Sequence, residues 1–406
     1  MKFKKSFILS ALTVLALCSC GGGEVSSSTS QEDKFDIPID KSLVYGMTDI
    51  YWQEYSWSNI SYTEEHKLFE ALGVKSIRFW AHATWLLKDP ETLDETGYGL
   101  ARASFEQIKD KGYQIIGLNH GSFKNMYKGE QKYSVASSKP PRDLTEGSKY
   151  RQWLDDYEKS WFTVVNNMKE ITYWEIDNET NNGAFMPRVG GGQFSKAEMA
   201  EITYDMMYFA SRGIHRANPN AITVMGGLIV EGIENFLNDI YDLIESNTWG
   251  TTNPDDFFQI AAWHPYMQGF GKQRFINMNN NIYKVIRDRE GKHKKVFFTE
   301  AGFDDNLYNN NEEKMAEYLK EMYDATKNDL PYVETLHYFR MWDEDTATKP
   351  TRWGLFTDPT KQRAEDNAPN RAAPKPIAFA YQELTAATGD LHSYEQFIID
   401  HNGSTK

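Results

Sequence analysis

Cysteine is almost absent from this chain. Its 406 residues include two, Cys18 and Cys20, both within the first twenty positions. Everything after Cys20 lacks a thiol, so it can hold no disulfide, no thiolate metal site and no cysteine nucleophile. Other signatures are missing as well. There is no His-Glu-x-x-His pair and no Asp-rich calcium loop, so no metal and no cofactor is expected. No Gly-x-Ser-x-Gly elbow is present. No glycine-rich phosphate loop follows the first apolar run, which counts against a nucleotide-binding sheet. Positive charge is scarce: 44 Lys and Arg face 58 Asp and Glu, a net charge of −14. Without three lysines near the start (Lys2, Lys4, Lys5) that becomes −17. Such a surface repels nucleic acid and anionic lipid and suits a neutral partner. No internal repeat of short period and no later interdomain linker is visible.

What is present begins with a leader. Three lysines fall in residues 1–5, an apolar run spans 7–17, and small residues with cysteine follow. This is the layout of a secretory signal, and the run is too short to span a bilayer as a helix. Leu17-x-Ser19-Cys20 resembles a bacterial lipoprotein box, which implies cleavage after residue 19 and acylation of Cys20. A plain signal peptide cut nearby is the alternative. Residues 21–34, GGGEVSSSTSQEDK, read as a flexible tether. The expected layout is a signal over 1–19, an acylated cysteine and tether over 20–42, and one folded domain over 43–406. The protein is expected to be exported and held to the bacterial cell envelope through its lipid alone.

From about residue 43, short apolar runs alternate with helix-like segments. Runs rich in β-branched and aromatic residues read as buried parallel strands. Eight occur, at 43–47, 74–80, 113–118, 172–177, 222–225, 258–263, 295–299 and 333–339. HKLFEALG and FEQIKDKG each close on a glycine, Gly73 and Gly112, which predicts a left-handed residue just past each helix. Ser195-x-x-Glu198 predicts a capping box. MAEITYDMMYFA, at 199–210, reads as the barrel-facing side of a helix rather than a cofactor box. KMAEYLKEMYDATK and PIAFAYQEL predict the last two helices. Regular alternation implies a parallel α/β fold. Eight units favour a closed (β/α)8 TIM barrel over an open sheet, and the length suits one such domain.

In a barrel the functional groups sit at the C-terminal ends of strands. The fourth run closes on Tyr173-Trp174-Glu175-Ile176-Asp177-Asn178-Glu179, and the seventh on Val296-Phe297-Phe298-Thr299-Glu300-Ala301-Gly302. Either glutamate alone reads as a solvated loop carboxylate. Together, each where an apolar run stops, they fit the paired carboxyl groups that glycoside cleavage with retention requires, about 5–5.5 Å apart. Other strand ends add polar and aromatic groups: Arg78 and Trp80, Asn119 and His120, His264 and Tyr266, and Trp342. Eleven Trp and 23 Tyr exceed the needs of a core and offer flat faces for sugar rings. Asp304-Asp305 reads as a solvated acidic pair. The polar insertion at 121–148 carries Lys124, Lys128, Lys132 and Lys139, and is expected to wall the cleft together with Trp353.

These residues resemble the (β/α)8 glycoside hydrolases of clan A, whose catalytic glutamates lie on strands four and seven. The resemblance covers roughly residues 43–388, with features of cellulase-like and β-xylosidase-like families. It implies a retaining enzyme with Glu179 as acid/base and Glu300 as nucleophile. Asn178 would bind the sugar 2-hydroxyl, and Tyr266 in His264-x-Tyr266 would hold the nucleophile. Trp342 would floor the sugar, and Arg78 would support Glu300. The chemistry asks Glu179 to carry a proton while Glu300 is ionised, a division that a cation beside Glu300 favours. The alternatives are a glycan-binding lipoprotein on the same barrel and a transglycosylase; the presence of both glutamates argues against the first. Cys20→Ala in the full chain should abolish labelling by a radioactive fatty acid in a bacterial host. Labelling that survives in Cys20→Ala and disappears in Cys18→Ala would move the anchor to Cys18.

Overall fold

The computed structural model describes residues 42–48, 62–119, 138–309, 311–345, 350–357 and 373–391. Cys20, the tether, His120 and most of the insertion at 121–148 lie outside them. Eight parallel strands form the centre: β1 Val44–Thr48, β2 Ser76–Trp80, β3 Gln114–Asn119, β4 Tyr173–Ile176, β5 Ile222–Met225, β6 Ala261–His264, β7 Val296–Ala301 and β8 Val333–Phe339. Each is followed by a helix: α1 Tyr62–Leu72, α2 Glu95–Glu106, α3 Lys149–Asn167, α4 Lys196–Ala217, α5 Ile233–Glu245, α6 Lys272–Glu290, α7 Glu312–Asp329 and α8 Pro376–Thr385.

The hydrogen-bonded order runs β5-β4-β3-β2-β1-β8-β7-β6. The remaining seam, between β5 and β6, closes through a parallel bridge from Val224 to Ile260. Beyond it, Leu228–Ile229 pairs with Trp263 and His264. The fold is the expected (β/α)8 barrel. Strand alternation sorts the side chains. Ile77, Phe79, Trp174, Ile176 and Phe298 face the helices and join the main core. Ile116, Val224, Ile260, Ala262 and Phe297 form a separate small cluster, with Tyr173 and Ile222 packed against it.

Local signals mostly perform as expected. Ser195 caps α4 in a reciprocal box with Glu198. Gly73 follows α1 at φ 72°. α4 buries Met199, Ile202, Met206, Met207 and Phe209. Three expectations are corrected. Gly112 has φ 80° but does not end α2, which stops at Glu106. The chain then tightens into i→i+3 turns, with Ile108 N donating to Phe105 O at 3.0 Å and Lys111 N to Ile108 O at 3.1 Å. The sixth strand starts at Ala261, not at 258. Phe257 and Phe258 are apolar because they pack on Tyr204 and Tyr241 of the surrounding helices, not because they pair. Asp304 is buried, at 3% exposed, rather than solvated; it lies just past β7, where Arg352 N approaches its carboxylate at 3.4 Å.

One buried polar group on β8 has a defined consequence. His337 is fully buried, with Nε2 2.9 Å from Ser76 Oγ on β2. Its ring occupies the space that a side chain at Gly46 would need. Burial, and then the Arg78 charge, push its pKa down to about 3. The unfolded chain therefore binds one more proton than the folded chain between roughly pH 6.5 and 3, and stability falls as pH drops through that window. His337→Gln should remove up to about 4–5 kcal/mol of that acid-induced loss. Urea unfolding measured from pH 7 to 3 checks this; parallel stability curves for the two proteins would contradict it.

Candidate active site

Arg78 enters the barrel from β2 and is completely buried. Its Nε donates to Glu175 Oε2 at 2.6 Å and its Nη2 to Glu175 Oε1 at 2.9 Å. Nη1 donates to Glu300 Oε1 at 2.5 Å, and Nη2 also to Asn178 Oδ1 at 2.8 Å. One guanidinium thus joins the strand carrying Glu175, the turn carrying Asn178 and the strand carrying Glu300. Burial alone would lower the Arg78 pKa, but the charges of Glu175 and Glu300 more than reverse this and raise it.

Glu175 is absent from the residues expected at the site, yet it is fully buried. Besides Arg78, it accepts from Gly227 N and Thr299 Oγ1, each at 2.9 Å. Gly227 must be glycine, since a Cβ there would lie 2.1 Å from His264 Nε2. The signal for Glu175 was its place inside an apolar run. An inward carboxylate there needs an inward cation, and Arg78 is the arginine of the β2 run.

Glu300 is the penultimate residue of β7 and is 8% exposed. Its second oxygen, Oε2, accepts from Tyr266 Oη at 3.0 Å. Burial first, then the Glu300 charge, raise the Tyr266 pKa well above its ordinary value, so the phenol stays a donor. Glu179 follows β4 and is 9% exposed. Its Oε1 lies 3.0 Å from His264 Nδ1, and its Oε2 accepts from Asn182 Nδ2 at 2.9 Å. Asn182 too went unrecognised in the sequence, where it sits in an unpatterned polar turn.

The Thr299 hydroxyl donates to Glu175, so its oxygen is left to accept from His264 Nε2–H at 3.2 Å. In a neutral ring Nδ1 then carries the lone pair. That nitrogen faces both carboxyl groups, 3.0 Å from Glu179 Oε1 and 3.6 Å from Glu300 Oε2. The facing ligand atoms of Glu179, His264 and Glu300 all lie within 4.8 Å of one another. These three could bring donors to a cation, but Arg78 already places positive charge on Glu300.

The remaining expected residues divide. Trp353 packs edge-on to Tyr266 at 5.1 Å and so joins the site. Trp342 is 4% exposed and packs on Phe356. Trp80 stacks with Trp85 at 6.0 Å, a residue absent from those expected at the site. Asn119 is buried and its Oδ1 accepts from Ala83 N at 2.8 Å, which pins the loop after β2.

No family model matches the chain, and no curated protein matches it in sequence. Solved structures do. A monomeric β-xylosidase from Caulobacter crescentus CB15 superposes with a TM-score of 0.60 at 15% identity, over 86% of this chain and 69% of that one. A family 39 glycoside hydrolase from Bacteroides cellulosilyticus WH2 gives 0.58 at 15% identity over 87% of this chain, which spans 64% of the Bacteroides protein. A β-glucosidase from Pyrococcus furiosus gives 0.56 at 12% identity, over 90% and 99%. The chain shares its barrel fold with these enzymes.

Replacing Arg78 by Met leaves Glu175 as a buried carboxylate without its counter-charge. Removing one partner of such a pair costs about 3–5 kcal/mol. Denaturant unfolding of Arg78→Met should show a loss of that size, partly recovered by adding Glu175→Gln. An unchanged midpoint in the single variant would contradict the network described.

Proposed function

We propose that the protein is a retaining β-glycoside hydrolase acting on an oligosaccharide or polysaccharide. One observation carries this reading: carboxyl groups at the ends of β4 and β7 bring their facing oxygens within 4.8 Å of one another. Inverting enzymes need about 6.5–9.5 Å to seat a water between the two groups, whereas retaining ones use about 5–5.5 Å.

The two carboxyls have different partners, and the difference supports different roles. Glu300 is held by Arg78 and Tyr266, both donors, which suits an ionised nucleophile. Glu179 meets His264 and Asn182 rather than a guanidinium, which suits a proton donor. In the first step Glu300 attacks the anomeric carbon as Glu179 passes its proton to the departing oxygen. In the second, Glu179 takes a proton from water, whose oxygen attacks the same carbon and frees Glu300. With Oδ1 of Asn178 engaged by Arg78, its Nδ2 is the donor available to a sugar hydroxyl. Half-buried Trp80 offers a ring face for the sugar, while Trp342 and Trp353 are 4% and 8% exposed and pack behind the site on Phe356 and Tyr266. The xylosidase and glucosidase among the structural neighbours favour a β-linked pentose or hexose. The leader and Leu17-x-Ser19-Cys20 support export and anchoring at Cys20 on the cell envelope.

Glu300→Gln should reduce hydrolysis by several orders of magnitude while leaving the melting temperature near wild type. Glu179→Ala should lose about 10²–10⁴-fold on glycosides with poor leaving groups, and much less on dinitrophenyl glycosides, which leave without proton assistance. Near-normal turnover by Glu300→Gln would refute the assignment.

A further inference from the structure

Lys139 belongs to the polar insertion after β3 and was expected at the cleft wall. It is instead fully buried. Its Nζ lies 3.1 Å from Asp177 Oδ2, with side chains 1% and 0% exposed, and also donates to Phe185 O at 3.2 Å. Its backbone is clamped as well. Lys139 N donates to Pro187 O at 2.8 Å, and Val189 N donates to Lys139 O at 2.9 Å. The end of the insertion is thus bonded to the loop that follows Glu179.

Asp177 occupies an unusual place. It has φ 65° and Glu179 has φ 48°, so two non-glycine residues in the left-handed region bracket Asn178. Such conformations persist only where the surroundings determine them. Here Asp177 N donates to Asn119 O at 3.0 Å and Glu179 N to Gly227 O at 2.8 Å. Asp177 Oδ1 accepts from Asn178 N at 2.8 Å, which holds the reversal from within. These two reversals send Asn178 toward Arg78 and Glu179 toward His264. A buried carboxylate keeps its charge only beside a counter-charge, and Lys139 provides one.

We infer that Lys139 is a positioning residue for Glu179, acting through Asp177 and the turn 177–179. The inference rests on Glu179 being the acid/base. If it holds, losing Lys139 should impair proton donation more than nucleophilic attack.

The test measures kcat/KM, which reports the first chemical step, on phenyl and 2,4-dinitrophenyl β-xylosides and β-glucosides. The proteins are full-length wild type, Lys139→Arg, Lys139→Met, the Lys139→Met/Asp177→Asn double variant and Glu179→Ala. The double variant removes both charges while its new side-chain amide oxygen can still accept from Asn178 N, so it guards against misfolding of the single one. The folded double variant should lose about 100-fold on the phenyl glycoside, as a small misplacement of a catalytic group does, and no more than about 3-fold on the dinitrophenyl one. Lys139→Arg should recover part of the phenyl activity. Equal losses on both substrates, no loss on either, or failure of every Lys139 variant to fold would overturn the positioning role. If Glu179→Ala itself shows no leaving-group dependence, the acid/base reading fails. If it shows the dependence and the Lys139 variants do not, only this inference fails.

Discussion

The mouth of the barrel is organised around a positive charge that cannot leave. Arg78 is sealed from solvent and binds Glu175 through two nitrogens and Glu300 through a third. A guanidinium stays protonated at any working pH, and its planar fork fixes direction as well as charge. Its orientation therefore sets where Glu300 points. Glu175 in turn receives Gly227 N and Thr299 Oγ1, and Thr299 orients His264, which faces Glu179. The two carboxyls at the site are thus linked through one continuous set of hydrogen bonds. Burying such a network is costly unless every member is satisfied, and Glu175 is.

The barrel makes this arrangement possible by dividing its interior. A small apolar cluster of Ile116, Val224, Ile260, Ala262 and Phe297 stands apart from the larger core between strands and helices. Burial of each large apolar side chain contributes about 1.5–3 kcal/mol, and it is this packing that offsets buried charge near the strand ends. The turn after β4 stores strain at Asp177 and Glu179. Hydrogen bonds to Asn119 O at the end of β3 and to Gly227 O just past β5 hold it.

Much of this was legible in the sequence. The eight strands could be read because their apolar runs are short and bounded, and Glu179 and Glu300 stood out where two runs stopped. Boundaries were less legible where an apolar residue served another layer, as Phe257 and Phe258 do for the helices. Glu175 escaped notice because it sits within a run rather than at its end. Asn182 escaped, and Lys139 was placed at the cleft wall, for a different reason. Their roles depend on partners, Glu179 and Asp177, that local pattern does not reveal. Asp304 reads as solvated from its acidic neighbour, and only the fold closing over it buries it.

The central proposal is that two carboxyl groups whose facing oxygens lie within 4.8 Å of each other carry out a double displacement. Proton NMR of the first product released from a β-linked substrate tests it most directly, because the anomeric signal records stereochemistry before mutarotation scrambles it. Two inversions at one carbon predict that the β-anomer appears first. If the α-anomer appears first, a water has attacked directly, and the assignment of Glu300 as nucleophile is wrong.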